Sequence, residues 1–215
     1  MRGSLSRPWA WRMDGTPGYI RMIGTSLKQL IGFAYDVEGY RITAQGPIFS
    51  ELYDVRAKIP EDVTRISDAE RWARIHVMTQ AMLASRFQLT LHRATTEMQV
   101  LALVAGKSGV KIKEIGPGPG ENVIVNRHAG HLSAEQMPMS QLVSILRSEL
   151  KQPVIDMTGI KGVFDVKLDW APDQGDGNLP SLFTAIEEQL GLKLRAEKQP
   201  IEILIVDRAQ RPSEN

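Results

Sequence analysis

Two clusters of side chains in this sequence have the types and spacing to do chemistry. The stretch Arg127-His128-Ala129-Gly130-His131-Leu132-Ser133-Ala134-Glu135 sets two histidines three residues apart, with a carboxylate four further on. Imidazole and carboxylate ligate zinc and similar ions, and ligands close in sequence lose less entropy on chelation. His128, His131 and Glu135 are therefore metal-ligand candidates. The pattern lacks a helix-borne His-Glu-x-x-His and the two-residue histidine spacing of metal-dependent lactonases, so a half-exposed strand position competes as the reading of His131. The second cluster lies in residues 169–178, where Asp169, Asp173, Asp176 and Asn178 supply hard oxygens among glycines that let a backbone wrap an ion. Calcium favours such a set. The spacing departs from an EF-hand loop, with no oxygen side chain at the third position and no glutamate at the twelfth, and a solvated turn fits the same residues.

Asp54 and Asp165 are the candidates for acid–base work. Paired carboxylates can run such chemistry when their environments push their pKa values apart. Each has a basic neighbour two residues along, Arg56 and Lys167, and surface ion pairing is the competing account. No Gly-x-Ser-x-Gly elbow is present. Ser148-Glu149-Leu150-Lys151 matches Ser-x-x-Lys without its companion motifs, and Gly106-Lys107-Ser108 lacks the first glycine of a phosphate loop, Leu101 standing in its place. With no cysteine in the chain, disulfides, thiolate metal sites and a cysteine nucleophile are excluded.

The elements that position these residues repeat. Gly18-Tyr19-Ile20 followed by Ser26-Leu27-Lys28-Gln29-Leu30-Ile31 recurs as Gly130-His131-Leu132 followed by Pro138-Met139-Ser140-Gln141-Leu142-Val143. Tyr53-Asp54-Val55 recurs as Phe164-Asp165-Val166. Phe87-Gln88-Leu89-Thr90-Leu91 with Met98-Gln99-Val100-Leu101 recurs as Leu190-Gly191-Leu192-Lys193-Leu194 with Ile201-Glu202-Ile203-Leu204. The matches are collinear, which points to an internal duplication in which Tyr19 answers to His131.

In each half the periodicity predicts the same succession. Ser26 caps a helix carrying Leu27, Leu30, Ile31, Ala34 and Tyr35 at helical spacing. A strand follows that alternates Tyr53, Val55, Ala57 and Ile59 with polar residues, answered by Phe164, Val166, Leu168 and Trp170. A longer helix over 68–85, with Trp72, Ile75, Met78, Met82 and Leu83 on one face, is matched by a helix over 181–190. Two strands then close each half, the alternating Phe87, Leu89 and Leu91 and the continuously apolar 100–104, with 203–206 as the second apolar strand. Met78, Met82, Met137 and Met139 read as adaptable core.

The fold class expected is α+β: two similar helix-on-antiparallel-sheet units related by a pseudo-two-fold axis. The organisation expected is an irregular leader over 1–17, a first repeat over 18–115, a Gly/Pro linker and loop over 116–129, a second repeat over 130–207 and a tail over 208–215. Gly116-Pro117-Gly118-Pro119-Gly120 can be neither helix nor central strand.

Composition bounds the rest. Of 215 residues, 42% are hydrophobic and 24% charged, enough for a real core. Lys plus Arg number 26 against 25 Asp plus Glu, interleaved along the chain, which argues against a dedicated nucleic-acid or anionic-membrane binder. No apolar run approaches the roughly 20 residues of a membrane helix. The first fifteen residues lack the apolar stretch of a signal peptide, so no targeting signal is read in this chain.

The run Ser26 to Tyr35, Leu83-Ala84-Ser85-Arg86-Phe87-Gln88-Leu89, Val154-Ile155-Asp156-Met157-Thr158-Gly159, Pro180 to Ile186 and Gln189 to Leu194 resemble the domain of unknown function 3738 family, a paralogous family expanded in soil acidobacteria. The closing Arg211-Pro212-Ser213-Glu214-Asn215 resembles its usual terminus. The resemblance implies a periplasmic or secreted setting, because family members commonly begin with an export signal and an additional strand, which this chain lacks, and some carry the domain behind a membrane peptidase of the antibiotic-sensor type. It supplies no catalytic residues. The leading expectation is an extracytoplasmic module that binds a small molecule or protein partner in a groove between the repeats. The rival is a calcium- or zinc-assisted hydrolase of small esters or lactones such as N-acyl-homoserine lactones.

Overall fold

Ser26 closes one element and opens the next. In the computed structural model, which describes residues 19–64, 66–116, 123–172 and 179–212, strand β1 (Tyr19–Ser26) runs directly into helix α1 (Leu27–Ala34). The Ser26 hydroxyl accepts the Gln29 backbone N–H, and the Gln29 side chain accepts the Ser26 N–H in return. This reciprocal cap satisfies donors that a helix start leaves open, and α1 buries Leu27, Leu30, Ile31 and Ala34 as its spacing predicts. There follow β2 (Ile42–Thr43), β3 (Leu52–Lys58), α2 (Glu61–Thr64), α3 (Asp68–Phe87) and β4 (Thr90–Ala105). The chain continues through β5 (Lys113–Gly116), β6 (Ile124–His128), β7 (His131–Pro138), α4 (Met139–Leu150), β8 (Val154–Asp156), β9 (Val163–Asp169), α5 (Leu182–Ala185) and β10 (Leu192–Arg208). Between α5 and β10, Ile186–Leu190 widens into a π-type turn. The class is α+β.

Three sheets form. β1 pairs antiparallel with β3; β5, β9, β7 and β6 lie in that order in an antiparallel sheet; β2, β10, β4 and β8 lie in that order in the third. The third sheet departs from a purely antiparallel plan, since β2 runs parallel to β10 and β8 parallel to β4.

The chain divides into two compact units, one of residues 97–199 and the other, among the described residues, of 19–96 with 200–212. Both boundaries fall inside long strands, so each unit holds the first part of one of β4 and β10 and the last part of the other. The two closing strands expected in each half are therefore one: no turn interrupts Thr90–Ala105 or Leu192–Arg208. Phe87 also differs from expectation. It ends α3 rather than starting a strand, because Gln88 adopts a left-handed conformation that terminates the helix one residue later. Phe87 is buried and meets the Tyr53 ring edge-on at 5.0 Å.

Each unit has its own core. In residues 97–199 it is built from Leu132, Met137, Leu142, Leu146, Leu168 and Ile186. In the other it is built from Leu27, Leu30, Ile31, Ile75 and Leu83, with Leu204 of β10 added. Met137 and Met139 are buried. Residues 124–128, read as loop from the sequence, form β6, while 117–122 lie outside the described residues.

The β1/β3 and β7/β9 pairs agree rung for rung. Tyr19 faces Lys58 as His131 faces Asp169; Arg21 faces Arg56 as Ser133 faces Lys167; Met22 faces Val55 as Ala134 faces Val166. A bulge follows in both, centred on Gly24 in one and Gln136 in the other, with φ of +59° and +54°. After the bulge Thr25 faces Tyr53 and Met137 faces Phe164, and a helix begins at once.

Candidate functional site

The β6–β7 hairpin puts His128 and His131 on either side of a two-residue turn, Ala129-Gly130, and the register makes them direct cross-strand neighbours. Gly130 has φ of +75°, and a Cβ there would lie 2.5 Å from the Trp170 carbonyl oxygen and 2.9 Å from Pro172 Cδ. Only glycine fits. The Trp170 N–H donates to the Gly130 carbonyl at 2.9 Å, which ties the turn to the end of β9.

That tie brings Asp169 beside His131. The two are 38 residues apart in sequence and opposite each other on β9 and β7, with Nδ1 of His131 2.5 Å from Oδ1 of Asp169. A carboxylate only accepts, so an Nδ1 proton sits in this bond, and in the neutral ring Nε2 is then the acceptor. On the other side the His128 and His131 rings stack, centroids 4.7 Å apart and planes 15° from parallel. Asp169 is itself held. Its backbone N–H donates to Oε1 of Gln189 at 2.9 Å, and Nε2 of Gln189 donates to its carbonyl at 2.7 Å. Gln189 comes from the π-type turn, so the last turn of a helix fixes the strand end that fixes the histidine.

The face is open. His131 retains 23% and Asp169 37% side-chain exposure. Alternation along β7 and β9 sends Leu132, Ala134, Val166 and Leu168 into the core, leaving Ser133 and Lys167 in the next row beside the histidine–aspartate row. Ser133 is two residues along β7 from His131, roughly 7 Å, which is too far for a nucleophile–base hydrogen bond. The row can bind, hold a proton at Nε2 of His131, or ligate; it assembles no nucleophilic triad among the described residues.

The remaining candidates fall in different places. Glu135 lies on the same face as His131 but four residues along, roughly 13 Å, so it stands apart from the two histidines. No group of three histidine or carboxylate side chains converges as a metal site among the described residues. Asp169 of the oxygen-rich set faces and bonds His131. Asp173, Asp176 and Asn178 lie outside the described residues; on either side of them the Ala171 N–H donates to the Pro180 carbonyl at 2.9 Å.

Asp54 and Asp165 occupy equivalent positions and do equivalent work. Oδ1 of Asp54 accepts the Gly24 N–H at 2.8 Å, and Oδ1 of Asp165 accepts the Gln136 N–H at 3.3 Å. Each carboxylate thus satisfies the bulge amide that the ladder leaves unpaired. Arg56, expected to pair with Asp54, lies over the Tyr19 ring at 4.8 Å.

Gln189 was invisible to motif reasoning because nothing in its local sequence marks an amide that clamps a strand twenty residues away. Gly130 had a partial signal, its place at the head of the second repeat directly before His131-Leu132, but the strand on its other side reads as loop from the sequence.

The comparisons with known proteins give one match. The family model described as Protein of unknown function (DUF3738) matches residues 28–209, most of the chain, and the chain belongs to that family. No curated protein and no solved structure matches it.

Proposed function

We propose that this member of the DUF3738 family is a binding module, engaging a small molecule or protein partner through the open face on which His128, His131 and Asp169 form one row. The observation that carries this reading is the double clamp of Gln189 on the Asp169 backbone, which preorganises an exposed hydrogen-bonding row without bringing a nucleophile to it. The bonds from the bulge amides to Oδ1 of Asp54 and of Asp165 give both carboxylates a structural task, which supports the same reading. An extracytoplasmic setting accompanies it, on the family resemblance. We also propose that the rung-for-rung agreement of β1/β3 with β7/β9 descends from an internal duplication, with divergence concentrated on the exposed faces.

The test is an equilibrium screen of metabolites and peptides by ligand-observed NMR, repeated with His131→Ala and Asp169→Asn. Hits that vanish in both variants support the module. Hits that persist in both, or no hits alongside robust ester turnover, overturn it.

A second reading is metal-assisted hydrolysis of small esters or lactones, N-acyl-homoserine lactones included. One observation favours it: a carboxylate on Nδ1 of His131 is the way zinc proteins orient a ligating imidazole. His131 and His128 would hold zinc, while Asp169, Asp173, Asp176 and Asn178 are the calcium alternative. Turnover abolished by chelator and restored by zinc or calcium would establish it; turnover surviving His131→Ala, Asp173→Ala and Asp176→Ala would remove it.

A further inference from the structure

The β1/β3 pair offers a second exposed face, in the unit of residues 19–96 and 200–212, with different chemistry. Its first two outward-facing rungs set Tyr19 against Lys58 and Arg21 against Arg56. Arg21, Arg56 and Lys58 are all exposed and alternate with the buried Ile20 and Met22 and the half-buried Val55 and Ala57, so the three cations share the outer face. Like charges directly opposite one another destabilise a sheet. The equivalent rungs of β7/β9 avoid that cost, pairing His131 with Asp169 and Ser133 with Lys167. Asp54 adds a negative charge one rung further on, but its Oδ1 is engaged by the Gly24 amide.

Arg56 is preorganised. Its guanidinium carbon lies 4.8 Å above the Tyr19 ring centroid, a cation–π contact that fixes the planar group and leaves N–H donors at its edge. Arg21 makes a contact of its own within the chain, so Arg56 and Lys58 are the principal cations, with Arg21 facing Arg56 across its rung.

We propose that this face binds a compact, multiply charged oxyanion: the diphosphate group of a small phosphorylated ligand, with Arg56 as the bidentate donor and Lys58 and Arg21 supplying charge. The extent of the patch selects the occupant. Cross-strand neighbours lie about 5 Å apart and diagonal ones about 7 Å, a span that two adjoining phosphoryl groups fill. Three cations fall short of the roughly four to eight that draw a segment to an anionic membrane. They also fall short of the roughly six to ten phosphate contacts of a duplex binder, and Arg56 already covers the Tyr19 ring that a base would stack on. The near-neutral charge of the whole chain is consistent with one local site.

The experiment is a calorimetric and 15N NMR titration of the full chain with pyrophosphate, inorganic phosphate and sulfate at about 0.15 M salt. Pyrophosphate is expected to bind saturably and more tightly than phosphate or sulfate, shifting the Arg56 side-chain Nε–H signal. Arg56→Ala should weaken binding by at least ~10-fold, Arg56→Lys less, and Lys58→Ala by ~3-fold or more, whereas Lys167→Ala on the other pair should change nothing. These residues are exposed, so circular dichroism should report folded variants. No saturation by pyrophosphate overturns the proposal. So does equal affinity in Arg56→Ala and Lys58→Ala, or binding to phosphatidylglycerol vesicles or single-stranded DNA in place of pyrophosphate.

Discussion

Asp54 reaches across from β3 to accept the backbone N–H of Gly24 on β1 at 2.8 Å, and Asp165 does the same for Gln136 at 3.3 Å. A pair of carboxylates that looks catalytic by recurrence is thus a pair of clasps on two β-bulges. Asp54→Ala is expected to cost about 1 to 2 kcal/mol in urea unfolding, and Asp165→Ala somewhat less because its bond is longer. A loss of turnover on any substrate without a loss of stability would contradict this role.

The two bulges differ in their αL residue, glycine at 24 and glutamine at 136. Gln136→Gly should stabilise the protein by roughly 0.5 to 1 kcal/mol by relieving the left-handed strain. Gly24→Ala, where a Cβ meets open space, should cost about 1 kcal/mol from backbone conformation alone. Denaturation midpoints of the two variants should move in opposite directions.

Gly130→Ala should be far worse. Its Cβ would sit 2.5 Å from the Trp170 carbonyl oxygen in addition to the φ penalty, so a loss of about 3 kcal/mol or more is expected. The His131 Nδ1 proton signal should disappear with it, because the turn and the end of β9 would part.

Gln189→Leu keeps the side-chain volume and removes both bonds to the Asp169 backbone. Each orphaned backbone group costs about 1 kcal/mol or more, and the strand end should loosen. The expected signature is faster exchange of the Asp169 amide and of the His131 Nδ1 proton, with amides in the unit of residues 19–96 and 200–212 unchanged.

At the far end of the chain, Arg211 donates to Glu51 from Nε to both carboxylate oxygens at 3.1 Å and from Nη2 at 2.5 Å, and the Tyr53 hydroxyl donates to the same carboxylate at 2.9 Å. The Arg211 hydrogen bond, then that of Tyr53, holds the Glu51 carboxyl below its ordinary value. A depressed acid contributes stability above its unfolded pKa and loses it as pH falls through the folded one. The tether should therefore hold at neutral pH and release in acid. A carboxyl 13C titration should place Glu51 below free glutamate, and Arg211→Ala should move it back up.

Local devices were readable in the sequence and tertiary ones were not. Ser26 announced its cap, and the recurrence of Asp54 as Asp165 marked equivalent positions before their task was visible. The α+β class followed from periods of 3.6 and 2. The His131–Asp169 bond depends on a register between strands 38 residues apart, which no window of sequence contains. The continuity of β4 through polar Thr95, Thr96 and Glu97 hid because a strand exposed along part of its length loses the apolar signal that marks it. Phe87 was misplaced for a subtler reason: one left-handed residue at Gln88 shifts the helix end without altering the hydrophobic pattern.

Leu204 belongs to the core that Leu27, Leu30 and Ile31 build, and its strand segment pairs with Ile42. During synthesis the ribosome delivers those early residues long before Leu204, so the unit they begin has a gap in its interior until residue 204 has emerged. Its closure is a high-contact-order event, slow relative to helix formation and exposed to mispairing in the interval. A chain truncated after residue 199 should therefore hold the sheet of β7 and β9, while the first-made unit still waits for its last strand.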